Sequence, residues 1–405
     1  MTPTNLRQMR SWLLRRGAIL PAASAELLHP PASQIPFLDG LRTIAILLVI
    51  SGHFSHDFAQ VNGPTFYSRL PFVMNGWIGV DLFFVLSGFF IGGQLWKELR
   101  GDGHINVGRF LLRRGLRIWP LYLFTFVVVF LLLMLTGDGL VGKQYGWSDL
   151  IFVTNFHNRG IVEGSWSLCI EEQFYIAAPL ALLLLSTRFR HVRDFRPWLW
   201  GVLCLPPLLR LAMWIHGTGN FFQASPSLFS ILYYDSFTHC DGLIIGLLIA
   251  NLWVTRDTVN STRIRSLLLL GAGLTAMLGL HLLQKEVFDF TGLALFFGSL
   301  VWFGLARPTT IFNNRIFYWL SRLSYGMYLN HEYMAPWVVR TFSGLSFLNP
   351  HPLLANVFGV AFLTLISAAL ALATFCCVEY PFLQLRAALL RSRTENKPLV
   401  TTQFA

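Results

Sequence analysis

The fold class predicted by this sequence is an all-helical integral membrane protein, and three observations carry the prediction. Only 13% of the 405 residues are charged while 54% are apolar, whereas a soluble protein keeps about a quarter of its residues charged. The apolar residues gather into ten runs of about 20, the length at which a helix crosses a bilayer core. Between those runs the basic residues fall on alternate sides, as cytoplasmic loops require. The 15% aromatic content, with 36 Phe and 13 Trp, excludes a disordered chain, a coiled coil and a collagen-like rod.

The spans run near 38–56, 77–96, 117–136, 166–186, 198–216, 231–254, 266–283, 287–306, 316–340 and 353–379. Ile151–Phe156 is too short to cross and reads as loop or re-entrant. Gly88 and Gly92, four apart in the second span, mark a close helix contact. With the N-terminus inside, 23 of the 31 Lys and Arg lie on inner segments and five outside or at the outer edge, with Arg42, Arg210 and Arg322 inside spans. Both termini are therefore placed in the cytoplasm. Residues 1–36 read as a basic tail at the membrane surface rather than a cleaved signal peptide, 37–385 as the transmembrane domain and 386–405 as a cytoplasmic tail. The net charge of +11 is then topology and lipid attraction, not a sign of nucleic acid. Five cysteines in no spaced pattern offer neither a disulfide framework nor a metal site.

Ionisable groups inside spans are costly and usually face a polar cavity, so they are the candidate site. The first span holds Asp39, Arg42 and His53. Eleven residues close to within about 20° of three turns, so Arg42 and His53 share a face about 16 Å apart along the axis, one near each side of the membrane. Asp81 in the second span, Glu171 and Glu172 in the fourth, His239 and Asp241 in the sixth and His331 in the ninth fall in one outer layer. At the inner mouth of the third span Arg113, Arg114 and Arg117 gather guanidinium forks suited to phosphate or to anionic lipid.

Five segments together resemble the acyltransferase 3 family of polytopic membrane enzymes. They are the Arg42-x10-His53 run after Phe37-Leu-Asp-Gly-Leu; Gly79-Val-Asp-Leu-Phe-Phe-Val-Leu-Ser-Gly-Phe89; Arg114-x-x-Arg117 before Ile-Trp-Pro-Leu-Tyr; Trp166-Ser-Leu-Cys-Ile-Glu-Glu-Gln-Phe-Tyr175; and Leu323-Ser-Tyr-Gly-Met-Tyr-Leu-Asn-His331. Val378-Glu-Tyr-Pro-Phe382 resembles the family's ending, so the match spans roughly 35–385 in order.

The resemblance implies an O-acyltransferase of the bacterial inner membrane. It would move an acyl group, commonly acetyl, from cytoplasmic acyl-CoA to a hydroxyl of a glycan or other acceptor at the outer face. By position it makes His53 the catalytic histidine with Arg42 its motif partner, and Arg114 and Arg117 the arginine pair. Glu171 takes the carboxylate of the Trp-Ser-Leu motif, while Glu172 falls where the family varies. The expected donor site is Arg42, Arg113, Arg114 and Arg117, with Asp39, Asp81, Trp166, Ser167, Tyr175, Asp241, Tyr325 and His331 in support and no metal. The pantetheine arm is expected to thread the Arg42–His53 face. His53, through Nε2 or Nδ1, is expected to act as general base with Glu171 orienting it or stabilising the imidazolium, by direct transfer or through an acyl-histidine. His239 stands where the family carries arginine and so departs from its pattern. A transporter or flippase for a sugar or lipid-linked intermediate would also use membrane-embedded charges, as would a non-catalytic sensor or scaffold.

Overall fold

The computed structural model describes residues 30–391 apart from 32–33, 158, 189–194, 220–225, 256–262, 307–309, 346 and 349. Most of the expected basic N-terminal tail, most of the C-terminal tail and inner-loop residues such as Arg190, Arg193, Arg256 and Arg307 lie outside the described residues. Among the described residues every regular element is a helix.

Helix α1, Pro36–Asn62, starts where proline's fixed φ and missing N–H suit a first turn. It stops at Gly63, whose φ of 78° a side chain would disfavour. A short α2, Pro71–Met74, leads into α3, Ile78–Asp102, the central helix. Its partner is α10, Asp241–Val254, and bare backbone lets the two meet. A Cβ on Gly88 would sit 2.1 Å from the Leu243 carbonyl oxygen, and one on Gly246 2.2 Å from that of Val85.

α4, Val107–Thr136, begins ahead of the expected 117 because the Asn106 side chain accepts from the Arg109 N–H and caps a polar first turn. Leu131, Leu132 and Leu135 are exposed on its outer wall, a surface suited to lipid. α5, Gly139–Leu150, and α6, Thr154–His157, connect it to α7, Ser165–Arg188; α8 is Arg196–Thr218.

The expected single span at 231–254 is instead two helices, α9, Pro226–Tyr234, and α10. Side chains of the intervening turn take over the backbone hydrogen bonds there: Thr238 Oγ1 donates to the Leu232 carbonyl (2.7 Å) and His239 Nδ1 to that of Tyr233 (2.6 Å). Arg210 of α8 fixes the break from behind, pairing with both carboxylate oxygens of Asp241 (2.8 and 3.1 Å) and bonding the Thr238 carbonyl. α11, Arg263–Ala306, turns extended at Gln284, between the two expected spans. Its arms pack on each other, Gly273 against Ser299 and Gly292 against Met277.

α12, Arg315–Gly344, packs on α1 and α13, Pro352–Thr374; one π turn, Phe375–Glu379, then leads into α14, Tyr380–Arg391. By length and apolarity, seven candidate membrane spans are present among the described residues: α1, α3, α4, α7, α8, α11 and the α13–α14 run. α12 is long but more polar, and α10 has only 14 residues. One core lies between α3, α10 and α11 around Val85, Phe89, Ala250 and Val301. A second lies between α1, α12 and α13 around Ile46, Val49, Ile50, Met327 and Leu363.

Candidate active site

His53 lies late on α1, where it lines a cleft of 680 Å³ together with Trp77, Glu163, Trp166, Tyr233, Tyr234, Tyr328 and Glu332. Its hydrogen bonds determine its tautomer. His331 Nδ1 lies 2.8 Å from the Tyr328 carbonyl, which only accepts, so that nitrogen carries a proton and neutral His331 presents Nε2 as an acceptor. His53 Nδ1 lies 2.9 Å from that Nε2 and 3.0 Å from Glu332 Oε1, so it donates. The basic lone pair of His53 is therefore on Nε2, and its side chain is 40% exposed, within reach of a molecule in the cleft.

The carboxylate beside His53 is thus Glu332, not Glu171. Glu171 accepts from Ser87 Oγ (2.9 Å) and from the Tyr175 hydroxyl (2.5 Å), and among its ionisable neighbours are Arg42 and Arg114. Arg42 and Arg114 share Glu171 and Tyr175 as neighbours, and Arg117 has Arg42, Arg322 and Arg114 beside it. Cations from α1 and α4 therefore meet carboxylates of α7, while Glu379 of the π turn faces Arg117 and Arg322 of α12. The Arg42 guanidinium lies over Phe90 (5.1 Å) and that of Arg114 over Tyr175 (5.8 Å). Arg114 is buried, yet its Nε and one terminal nitrogen, like Arg42 Nε, have no partner among the described residues, an arrangement of donors that an anion would complete. Arg113, whose ionisable neighbours are Arg109, Glu98 and Arg114, stands at the edge of this cluster.

Several supporting candidates hydrogen-bond between elements of the bundle. Asp39 accepts from Ser321 Oγ (2.6 Å) and Gln34 (2.7 Å), joining α1 to α12. Ser167 Oγ meets the Tyr328 hydroxyl at 2.7 Å, and Tyr325 donates to the Ile118 carbonyl at 2.9 Å. Asp241 belongs to the Arg210 pair, and Asp81 meets His239 Nε2 at 3.0 Å. The expected donor path along the Arg42–His53 face is closed, because Ile46, Val49 and Ile50 on it are completely buried. Half-buried Phe83, Ser87, Phe90 and Gln94 instead form a stripe along the otherwise buried α3, passing Tyr328, Glu171 and Arg42.

Sequence reasoning missed Glu332, although it follows His331 directly. It also missed the loop that rims the cleft. Buried Asp149 shapes that loop by accepting from the Tyr122 hydroxyl (3.0 Å) and the Ile161 N–H (2.7 Å). Burial raises the Asp149 carboxyl above its ordinary range while these donors pull it back. Lost solvation, with Glu332 and Asp149 as neighbours, likewise raises Glu163.

The acyltransferase 3 family model, described as an acyltransferase domain, matches residues 35–376. A Bacillus subtilis (strain 168) protein provisionally named a peptidoglycan O-acetyltransferase is 30% identical over 329 residues, 73% of this chain and 48% of that protein. The peptidoglycan O-acetyltransferase of Listeria monocytogenes serovar 1/2a is 27% identical over 325 residues, covering 73% and 49%. A Staphylococcus aureus (strain COL) protein provisionally named an O-acetyltransferase is 29% identical over 326 residues, covering 73% and 50%. The chain spans about half the length of the curated relatives it matches. No solved structure matches it. With most of its length matched by that family model, the chain belongs to the acyltransferase 3 family.

Proposed function

We propose that the protein is a membrane O-acetyltransferase that takes acetyl from cytoplasmic acetyl-CoA and delivers it to a hydroxyl of a cell-envelope glycan at the far face of the inner membrane. The observation that carries this reading is the division of α1. His53 stands in an open cleft, and Arg42, eleven residues earlier, sits beside buried Arg114, and both have side-chain donors with no partner among the described residues. The peptidoglycan named for the relatives supports a glycan acceptor. Counting the two arms of α11, the α9–α10 pair and α12 with the other apolar helices makes ten crossings, which returns both termini to the cytoplasm, and residues 37–385 form the catalytic unit.

Arg42, Arg114 and Arg117 hold the anionic part of the donor with Arg113 at the mouth, and the pantetheine arm follows the α3 stripe, about 16 Å from Gln94 to Phe83. His53 Nε2 removes the proton of the acceptor hydroxyl. The oxygen bonds to the thioester carbonyl carbon, the carbon–sulfur bond breaks, and the imidazolium returns the proton to the departing thiolate. Glu332 accepts from Nδ1–H and stabilises the imidazolium.

The test is acetyl transfer in proteoliposomes fed radiolabelled acetyl-CoA, paired with mass spectrometry of envelope glycans from cells with and without the gene. Wild-type protein is expected to consume donor in proportion to acceptor modified, and His53→Ala to fold and transfer none. Acceptor crossing the membrane with no donor consumed would identify a carrier instead.

A further inference from the structure

The cleft has a second wall, and the reaction just described gives it no task. Trp166 opens α7, and Tyr233 and Tyr234 end α9. Their rings meet as a group, Trp166 to Tyr233 at 4.6 Å between centroids and Trp166 to Tyr234 at 5.1 Å and 85°. The same cleft carries Glu163, Arg159 and Glu332, so flat apolar faces and charged hydrogen-bonding groups share one space. Its 680 Å³ falls within the roughly 300–1,000 Å³ of small-molecule sites. A pyranose ring has matching chemistry, with C–H faces that lie on aromatic rings and a rim of hydroxyls that bond carboxylate and guanidinium.

Behind this wall stands a buried pair. Asp81 is 2% and His239 0% exposed. His239 stacks on Phe290 at 4.0 Å and lies 4.9 Å from the Tyr233 ring and 6.0 Å, at 19°, from that of Trp166. Its Nδ1–H donates to the Tyr233 carbonyl at 2.6 Å, one of the carbonyls that the end of α9 would leave open. With Nδ1 protonated, Nε2 of a neutral ring is an acceptor, so its 3.0 Å contact with Asp81 Oδ1 holds one further proton on ring or carboxyl. The pair thus fixes the backbone of Tyr233 and backs two of the three platform rings.

We propose that Trp166, Tyr233 and Tyr234 are the stacking platform for a pyranose ring of the acceptor, and that Asp81 and His239 are positioning residues holding that platform opposite His53. The proposal rests on the acyl-transfer reading, and its test separates the two. Full-length protein in lipid nanodiscs is titrated calorimetrically with a soluble N-acetylglucosamine tetramer, and initial rates are measured with acetyl-CoA and the same tetramer.

Trp166→Leu and Tyr233→Leu are expected to weaken tetramer binding by about ten-fold with the KM for acetyl-CoA unchanged, whereas His53→Ala still binds tetramer and transfers nothing. His239→Leu should raise the acceptor KM with kcat retained, and His239→Asn, whose amide can still donate to the Tyr233 carbonyl, should restore it. A loss of kcat and of both KM values together in His239→Leu, unrescued by asparagine, would show a merely structural pair and overturn the positioning role. Wild-type affinity in Trp166→Leu and Tyr233→Leu, or no tetramer binding by wild type, overturns the platform. Tetramer binding with no acetyl-CoA consumed leaves the platform standing and removes the acyl-transfer reading.

Discussion

The role proposed for His53 turns on which nitrogen carries hydrogen, and three neighbours settle that question. The Tyr328 carbonyl fixes His331, His331 and Glu332 accept the hydrogen bond of His53 Nδ1–H, and Nε2 is left basic. Glu332→Gln keeps an acceptor for Nδ1–H but removes the charge that, in the proposed mechanism, stabilises the imidazolium. Its kcat is expected to fall about 10²-fold or more with the KM for acetyl-CoA unchanged. Glu171→Gln, which perturbs the arginine cluster, should instead raise that KM; initial-rate kinetics in proteoliposomes distinguish them, and the reverse pattern would return the orienting role to Glu171. Arg42 and His53 were legible in the sequence because their spacing on one helix determines their common face. The carboxylate partner was not, because hydropathy assigns Asp81, Glu171 and Glu172 to the same outer layer as His53 and only tertiary packing decides which carboxylate reaches the imidazole.

Among the elements, the α9–α10 break depends most on a single interaction. Arg210 and Asp241 are completely buried and satisfy one another, so removing one partner strands a charge at a cost of about 3–5 kcal/mol. Arg210→Met or Asp241→Leu alone should lower the thermal midpoint in detergent sharply, while the double variant recovers part of the loss. Additive losses would show that the pair is not coupled. Gly246→Ala, placing its Cβ 2.2 Å from the Val85 carbonyl oxygen, should cost about 1–3 kcal/mol by prising α10 from α3, read from the same melts. Ser87→Trp, which fills the α3 stripe, is expected to abolish transfer in a folded protein; wild-type rates would place the donor path elsewhere. Hydropathy marked most helices well, and it even located the turn within α11. It joined α9 to α10 because a break held by Thr238, His239 and a distant Arg210 leaves the apolar run almost uninterrupted.

Across the whole molecule, the sequence shows a segregation of charge that the folded chain turns into two polar sites at different levels of one apolar bundle. Arginines gather around Arg114, while histidines and carboxylates gather around His53. The proposed orientation puts the second group outside. Single cysteines introduced in a cysteine-free background provide the check: Glu163→Cys should react in intact cells with a membrane-impermeant maleimide, and Lys97→Cys only after permeabilisation. Labelling of Lys97→Cys alone in intact cells would invert the topology.

The sealed face of α1 also bears on electrical balance. Ile46, Val49 and Ile50 leave no aqueous route along that helix for an ion between His53 and the arginines. In the proposed reaction the hydrogen taken from an acceptor hydroxyl outside departs as the thiol hydrogen of coenzyme A inside. Each acetyl exported is then matched by one hydrogen imported with no net charge moved, so turnover neither draws on the membrane potential nor dissipates it.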